Sequence, residues 1–449
     1  MGTDTVREQA ADEAAERRRE QRGWYVYDWA CSVYSTSVLT VFLGPYLTSV
    51  AKAAADADGF VHPLGIPLRA GSFFAYCVSA SVILSIFVMP LAGAAADRTG
   101  RKKPLLAVAA YLGAAATAGM FFLDGDRYLL GGLLLIVANA SLAVSMVLYN
   151  SYLPQIAPPE ERDAVSSRGW AFGYAAGSLV LVANLILYTA HDTFGVSETT
   201  AVRICLASAG IWWGAFTLVP LKRLRDRRTT SSSGTSAHGW RQLAATVRDL
   251  RRQPLTLAFL LAYLVYNDGI QTVISQASVY GSEELGLDQS TLIVAVLLVQ
   301  LLAVAGALGM GRLARTYGAK RTILGSLVAW TVTLGAGYFL PAGAPVWFFV
   351  LAAGIGLVLG GSQALSRSLF SHLVPPGKEA EYFSAYEMSD RGMSWLGPLL
   401  FGLTYQLTGS YRDAIISLVA FFVVGFLLLA RVPVRQAVRD AGNPVPDRI

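Results

Sequence analysis

The sequence predicts an all-α polytopic membrane protein with twelve transmembrane helices in two similar halves. Charged residues make up only 15% of the 449 residues and hydrophobic residues 54%, whereas soluble domains carry about 25% charge. Twelve apolar segments have about the 20 residues that a helix needs to cross a bilayer. Two short basic segments with matching glycines lie at equivalent positions in the two halves, which is typical of duplicated transporters.

The twelve predicted spans lie six on each side of a polar linker, and we number them 1 to 12 in chain order. The spans of the first half cover residues 24–50, 70–95, 104–123, 128–152, 168–190 and 202–221. Those of the second half cover residues 255–280, 290–311, 321–340, 345–370, 384–408 and 411–431. Short connections between spans 3 and 4, 9 and 10, and 11 and 12 predict antiparallel neighbours.

Polar segments at the ends and in the middle complete the expected organisation. The chain divides into an N-terminal tail (1–22), a first half (23–221), a linker (222–254), a second half (255–431) and a C-terminal tail (432–449). Within the linker, the hydroxyl-rich run Thr229–Ser236 is typical of a flexible connection. The basic amphipathic stretch Trp240–Arg252 is expected to lie on the membrane surface.

The distribution of basic residues predicts the orientation. With twelve spans both termini share one side, and that side holds 31 of the 36 Lys and Arg residues, against 5 on the other side. Because Lys and Arg concentrate in cytoplasmic loops, both termini are expected in the cytoplasm. The expected location is the cell (plasma) membrane.

Composition and motifs exclude several other classes of protein. The net charge is +6, but the basic residues cluster at the ends of apolar segments, which indicates membrane topology rather than nucleic-acid binding. The three cysteines and four histidines are scattered, so we expect no metal site and no cofactor. No phosphate-binding glycine loop occurs, which argues against ATP-driven transport. The sequence has no cluster of a nucleophile and an acid–base group of the kind that would indicate an enzyme.

Two segments between apolar spans repeat each other. They run from Gly93 to Lys103 and from Gly311 to Arg321, and their glycines and basic pairs match at an offset of 218 residues. The proline pairs at 158–159 and 375–376 match at an offset of 217. Both offsets are close to half the chain length, which indicates tandem halves.

The first repeated segment carries the most specific short motif. It reads G-x-x-x-D-R-x-G-R-K-K and ends at Lys103, and the residues expected to form the gating loop are Gly93, Asp97, Arg98, Gly100, Arg101 and Lys102. With twelve spans in two six-helix halves, this loop resembles the major facilitator superfamily, which implies that superfamily's fold of two pseudo-symmetric halves. The resemblance also implies a gate, in which Asp97 contacts the N-terminal turn of span 11 (Ser384–Glu387) when the cytoplasmic side is closed. The second copy has Arg315 at the acidic position, so we expect it to anchor its loop.

Four further motifs narrow the resemblance. They are Gly23–Ala30 in span 1, Tyr149–Pro154 at the end of span 4, Tyr266–Thr272 in span 7 and Gly360–Ser368 at the end of span 10. Together they resemble the vacuole-effluxer-like branch, whose namesakes are autophagy-related amino-acid exporters of the fungal vacuole. The resemblance covers about residues 23–430 and implies a transporter.

Span 7 contains the strongest candidate functional residues. Ionisable side chains inside a bilayer cost several kcal/mol unless they are paired or wetted, and Asp268 lies near the middle of this span. Asn267, Gln271, Ser275 and Ser278 give one helix face a polar character. This face either lines a water-filled cavity, where Asp268 takes up and releases a coupling proton, or packs in a hydrogen-bonded cluster with Asp268 neutral.

Spans 1, 4 and 10 supply the other candidates for substrate binding or coupling. They are Tyr27 and Asp28 in span 1, Asn139, Tyr149 and Asn150 in span 4, and Gln363 and Arg367 in span 10. Asp28 is either such a group or a helix N-terminal carboxylate favoured by the dipole. Arg367 either anchors a substrate carboxylate or Asp28, or is a positive-inside charge. The repeat offset aligns Asn150 with Arg367, which favours paired positions at the cytoplasmic mouth of the cavity. Asp390 and Arg391 in span 11 are expected to satisfy each other.

These observations predict a secondary active transporter. We expect it to export a small polar organic solute, such as an amino acid, by alternating access within the lipid bilayer, with a coupling proton and as a monomer. Proton-coupled multidrug efflux is the alternative within transport, since the spans are rich in aromatic residues. A non-transporting membrane receptor or scaffold is the alternative from another class.

Overall fold

The fold is built from α-helices joined by short turns. The computed structural model describes residues 2–70, 73–227, 248–287, 289–392 and 396–449. The predicted linker run Thr229–Ser236 and most of the stretch Trp240–Arg252 therefore lie outside the described residues. The strands within the described part form one antiparallel pair, β1 (Phe60–Val61) and β2 (Leu68–Arg69), with Phe60 opposite Arg69 and Val61 opposite Leu68.

The helices that precede the linker are α1 (Gly2–Val33), α2 (Leu43–Ala53), α3 (Phe73–Thr99), α4 (Lys102–Gly119), α5 (Tyr128–Asn150), α6 (Leu153–Ile156), α7 (Arg162–Thr189) and α8 (Glu198–Arg223). A π-helical segment, Tyr34–Phe42, joins α1 to α2 without a break. Short 3₁₀ turns occur at Pro63–Gly65, Met120–Phe122 and Pro159–Glu161. The Ser197 side chain caps α8 by accepting a hydrogen bond from the Thr200 backbone N–H, as expected of an N-cap serine.

The helices that follow the linker are α9 (Pro254–Val279), α10 (Gln289–Tyr317), α11 (Ala319–Tyr338), α12 (Pro345–His372), α13 (Glu379–Gly392), α14 (Leu396–Thr408), α15 (Tyr411–Ser417), α16 (Val419–Arg431) and α17 (Val434–Asp440). A π-helical segment, Tyr280–Glu284, extends α9. Proline stands in the first turn of α9 and α12, where its missing N–H costs nothing.

Ten helical stretches of the described residues are long and apolar enough to cross a membrane, and they match predicted spans 1 to 8, 10 and 12. Span 9 corresponds to α11, which is 20 residues long and carries Lys320 and Arg321 in its first turn. Span 11 corresponds to the charged helix α13 and the shorter apolar helix α14, on either side of residues 393–395. The all-α polytopic membrane fold is confirmed, and the count of twelve stays a prediction.

The loop between α2 and α3 folds around Asp56. Its carboxylate bonds the His62 ring nitrogen at 2.9 Å and accepts the backbone N–H groups of Phe60 at 2.8 Å and Asp58 at 3.1 Å. The hydrogen bond from His62, followed by that from the Phe60 backbone, lowers the pKa of the Asp56 carboxyl. This acidic side chain therefore organises the strand pair β1–β2.

In each of the two repeated segments a helix ends at a glycine with positive φ. Gly100 lies between α3 and α4 with a φ of 62°, and Gly318 lies between α10 and α11 with a φ of 88°. L side chains rarely adopt positive φ, so glycine is required at the point where each helix ends. The shared geometry at the repeat offset of 218 explains why both copies of the segment keep this glycine.

Replacing Gly318 with alanine should destabilise the fold. Gly318 has a ψ of 152° as well as its positive φ, a backbone region in which other residues cost about 1–3 kcal/mol. An added Cβ would also lie 2.7 Å from the backbone carbonyl group of Ile449. We expect a lower melting temperature for Gly318→Ala in detergent. The control is Gly309→Ala within α10, where no atom lies within 4 Å of the new Cβ, and alanine there should leave the melting temperature unchanged or raise it.

The described contacts divide the chain into two compact units. The first unit comprises Met1–Tyr149 and Phe172–Arg228, and the second comprises Asn150–Ala171 and Thr229–Ile449. Trp24, Tyr34 and Trp213 are fully buried in the first unit, and Trp330 and Phe259 in the second. Residues 150–171, which join predicted spans 4 and 5, thus pack with the second unit.

Candidate functional site

A buried carboxylate surrounded by aromatic rings lies within the first unit. The Tyr149 hydroxyl donates to Asp28 Oδ2 at 2.7 Å, and Asp28 is 4% exposed. Trp24 donates through Nε1 to the Tyr149 backbone oxygen at 2.9 Å, and its ring stacks on the Tyr149 ring at 4.4 Å. The Tyr27 ring lies 5.1 Å from that of Tyr149. The structure therefore brings together Tyr27, Asp28 and Tyr149, and adds Trp24.

The surroundings of Tyr27 extend this polar interior. Tyr27 is fully buried beside Ser145 and the Trp213 ring. Ser145 lies one turn before Tyr149 on α5, and Trp213 lies on α8. Sequence reasoning missed both residues, because a lone serine or tryptophan in an apolar span carries no distinguishing pattern.

Asn139 lies in a separate polar contact between α3 and α5. Its Nδ2 donates to Ser81 Oγ at 2.6 Å, and Ser81 in turn donates to the Val78 backbone oxygen at 2.6 Å. Asn139 and Ser81 are both buried. This arrangement satisfies polar groups between two helices, and it does not join Asn139 to Asp28 directly.

Asp268 of α9 is a buried carboxylate within the second unit. It is 3% exposed, and neither carboxylate oxygen has a hydrogen-bond partner among the described residues. The Gly397 backbone N–H approaches this carboxylate outside hydrogen-bond geometry. Gly397 lets α14 come close, since an added Cβ would lie 3.2 Å from the Asp268 backbone oxygen and would overlap Thr272 Oγ1. Among the described residues, this side chain is therefore held between closely packed helices with the Gly397 N–H as the donor that approaches it.

The neighbour of Asp268 in sequence belongs to a different cluster. Asn267 donates through Nδ2 to Asp390 Oδ1 at 2.7 Å, and the Tyr263 hydroxyl donates to the same oxygen at 2.9 Å. The Tyr263 ring stacks on that of Tyr386 at 4.4 Å. The predicted partner of Asp390, Arg391, has a side chain outside the described ones, so that pairing stays a prediction. Asp390 joins the candidate residues.

The polar face predicted for α9 is only partly buried. Gln271 is partly exposed, and Gln363 of α12 is buried one turn before Arg367. The side chain of Ser278 lies outside the described ones. Within the described part of the chain, no group of three or more His, Cys, Asp and Glu side chains is placed to hold a metal ion.

Arg367 is the centre of a buried polar network within the second unit. It is 1% exposed, and its Nε donates to Ser166 Oγ at 2.9 Å while one terminal nitrogen donates to the Ser166 backbone oxygen at 2.8 Å. The other terminal nitrogen donates to Asn150 Oδ1 at 3.3 Å. The guanidinium carbon lies 5.3 Å from the centre of the Trp170 ring. Arg367 thus binds residues 150–171 at three points.

Other contacts fasten the same segment to α12 and α13. Asn150 Nδ2 donates to Glu387 Oε1 at 2.8 Å, and Ser166 Oγ donates to the Ala364 backbone oxygen at 2.6 Å. Arg162 donates to the Ser371 backbone oxygen at 2.8 Å. The motif glycine Gly311 packs on this segment too, since an added Cβ would overlap Ser167 Oγ. We call residues 150–171 the strap. Sequence reasoning did not identify its contacts apart from the alignment of Asn150 with Arg367.

The first repeated loop is held by contacts inside the first unit. Asp97 pairs with Lys102 at 3.3 Å, and both side chains are largely buried. The Lys103 backbone N–H donates to Asp226 Oδ1 and its Nζ donates to the Leu224 backbone oxygen, both at 2.9 Å. Arg98 and Arg101 are exposed. The predicted contact of Asp97 with span 11 stays a prediction.

Comparisons with known proteins agree with this architecture. A family model described as "Vacuole effluxer Atg22 like" matches residues 16–442. The MFS-type transporter YxiO of Bacillus subtilis is 29% identical over 92% of this chain and 95% of its own length. Autophagy-related protein 22-1 of Aspergillus niger is 25% identical over 94% of this chain and 90% of its own length.

Solved structures show the same fold at low sequence identity. The major facilitator transporter FucP in its outward conformation has a TM-score of 0.65 at 14% identity, covering 91% of this chain and 99% of its own. The proton:xylose symporter XylE has a TM-score of 0.65 at 15% identity, covering 93% and 95%. Because the family model covers nearly the whole chain, the protein belongs to the vacuole-effluxer Atg22-like family of major facilitator membrane transporters.

Proposed function

We propose that the protein is a secondary active transporter that exports a small polar organic solute with an ammonium group, such as an amino acid, in exchange for a proton. The observation that carries this proposal is the buried carboxylate of Asp268, which lacks a hydrogen-bond partner among the described residues. A carboxylate in this setting is far less stable ionised than protonated. Its charge therefore depends on whether water reaches it, which links proton binding to the state of the carrier.

Asp28 supports the choice of a solute with an ammonium group. The Tyr149 hydroxyl donates to one of its oxygens, and the Trp24 and Tyr27 rings pack against the Tyr149 ring. A carboxylate among aromatic rings attracts organic cations by direct charge and by the negative faces of the rings. We propose that Asp28 receives the ammonium group of the solute, with Tyr149 as its positioning residue.

The strap supplies a contact that alternating access can make and break. By sequence it joins two spans of the first half, while its polar groups bind Arg367, Glu387 and the α12 backbone. We propose that these bonds hold the carrier closed on the cytoplasmic side and are released when that side opens. The repeated loop with Asp97 and Arg98 is proposed to act on the same side. We also propose that both termini lie in the cytoplasm and that the protein resides in the cell membrane.

Solute counterflow in proteoliposomes tests the proposed function. Vesicles containing purified protein are loaded with one unlabelled amino acid at a time, and entry of the same labelled amino acid is followed. We expect transient accumulation above the external concentration for at least one amino acid, because a carrier exchanges solute without net energy input. Vesicles without protein give the background.

Two results would redirect the proposal. Counterflow of lipophilic cations, with none for any amino acid, would favour the multidrug carrier. Thermal stabilisation of the protein by a solute that shows no counterflow would favour a receptor, since binding stabilises the folded state without transport.

A further inference from the structure

Four arginines of the first unit line one depression on the protein surface. Its wall consists of Ala15, Arg18, Arg19 and Arg22 of α1 and Arg223 at the end of α8, and its volume is about 440 Å³. The α1 residues are spaced three or four apart, so they lie on one helix face. The Arg groove, as we call it, therefore concentrates four positive charges at a single concave site.

The charges of the Arg groove are not neutralised by the acidic residues of the same region. Glu16 pairs with Arg225, and Glu20 pairs with Arg227 and also accepts the Arg225 backbone N–H. Asp226 accepts the Lys103 backbone N–H. Within the described residues no ion pair involves the four groove arginines, so their charge is available to a ligand.

The position of Arg223 in the groove depends on a glycine. An added Cβ at Gly23 would lie 2.7 Å from Arg223 Cβ and 3.3 Å from its Cδ. Gly23 therefore lets the stem of Arg223 lie against α1, beside Arg19 and Arg22. Four arginines that have no acidic partner among the described side chains repel one another, and this repulsion favours binding of an anion that bridges them.

The sequence position of the groove indicates the level of the lipid headgroups. Arg22 lies two positions before predicted span 1, and Arg223 lies two positions after predicted span 6, on the side that holds most Lys and Arg residues. The planar guanidinium group binds phosphate oxygens through two parallel hydrogen bonds. We propose that the Arg groove is a binding site for the phosphate group of an anionic phospholipid of the cytoplasmic leaflet.

The proposal is tested by lipid binding to full-length protein in nanodiscs. Phosphatidylglycerol is titrated into phosphatidylcholine nanodiscs and the melting temperature of the protein is followed. We expect wild type to be stabilised at low phosphatidylglycerol content and Arg18→Gln/Arg22→Gln to need about 25-fold more, since each basic residue at an anionic surface contributes about fivefold. The matched control, Arg435→Gln/Arg439→Gln, removes two exposed charges of α17 outside the groove and should behave as wild type.

A third variant tests the geometry without removing charge. Gly23→Ala keeps all four arginines and displaces Arg223, so it should also weaken the response to phosphatidylglycerol. An equal response of the groove variant and the control would overturn the proposal, because the lipid would then act through net charge alone. If inorganic phosphate raised the melting temperature of wild type in pure phosphatidylcholine as much as phosphatidylglycerol does, the lipid assignment would be overturned. The groove would then be a site for a soluble phosphate. If a groove variant has a lower melting temperature than wild type in pure phosphatidylcholine, the two proteins are compared by the rise in melting temperature that phosphatidylglycerol causes. This rise still decides between the results above.

Discussion

In the Asp268→Asn variant, solute accumulation driven by a pH gradient is expected to fall to the level of empty vesicles, while solute counterflow without a gradient continues. Asparagine has nearly the shape of a protonated aspartic acid but cannot release a proton, so the carrier keeps its exchange step and loses its coupling. Both activities are measured in the same proteoliposomes with the solute that counterflow identifies. The ratio of the two activities reports coupling independently of the amount of protein reconstituted.

Two further variants make this result specific to Asp268. Asp413→Asn removes a carboxylate in the first turn of α15, far along the chain from the polar face of α9, and should retain gradient-driven accumulation. Asp268→Glu keeps a titratable group at the site and should retain part of the coupling. Asp268→Asn should melt no lower than wild type, since burying a neutral amide costs less than burying a carboxylate. Gradient-driven accumulation by Asp268→Asn at the wild-type level would rule out Asp268 as the proton carrier.

Local patterns in the sequence were sufficient to predict the helices and the repeat. Apolar length predicts a span because the bilayer requires it, and matching glycines predict matching turns because only glycine tolerates their backbone geometry. Gly100 and Gly318 accordingly have positive φ at equivalent positions. Spans 9 and 11 are not among the helical stretches that are long and apolar enough to cross a membrane, and the cause is local too. Helix α11 has two cations in its first turn, and α13 carries several charged residues.

Contacts between residues far apart in the chain could not be predicted from local sequence patterns. The bonds of Arg367 to Ser166 and of Asn150 to Glu387 join positions 201 and 237 residues apart, and no local periodicity specifies which helices meet. The repeat offset aligned Asn150 with Arg367, and these two lie in contact, but alignment alone indicates equivalent positions rather than a bond. Asp390 shows the same limit, because no local sequence pattern indicates which side chains of another helix approach it. Its carboxylate accepts hydrogen bonds from Tyr263 and Asn267 of another helix.

Replacing Arg367 with alanine is expected to lower the free energy of unfolding by about 2–4 kcal/mol, because it leaves buried acceptors without donors, each at a cost of about 1–3 kcal/mol. The acceptors are Ser166 Oγ, the Ser166 backbone oxygen and Asn150 Oδ1. Arg412→Ala is the matched control, since Arg412 binds Glu284 and the Tyr338 backbone oxygen but is 30% exposed. Its loss should cost about 1 kcal/mol or less. Chemical denaturation in detergent measures both, and equal losses would contradict the central role of Arg367 in the strap.

Solute affinity then distinguishes fastening of the strap from binding of a substrate carboxylate. If Arg367 fastens the strap, Arg367→Lys should change the affinity for the transported amino acid and for its uncharged amide derivative by the same factor, because the variant shifts the conformation of the carrier rather than a contact with solute. If Arg367 binds the carboxylate, the amino acid should lose affinity selectively, since lysine lacks the two parallel donors of a guanidinium group. We expect the equal factor, because the guanidinium is 1% exposed and binds Ser166, Asn150 and the Trp170 ring. A selective loss for the amino acid would instead assign Arg367 to the substrate site.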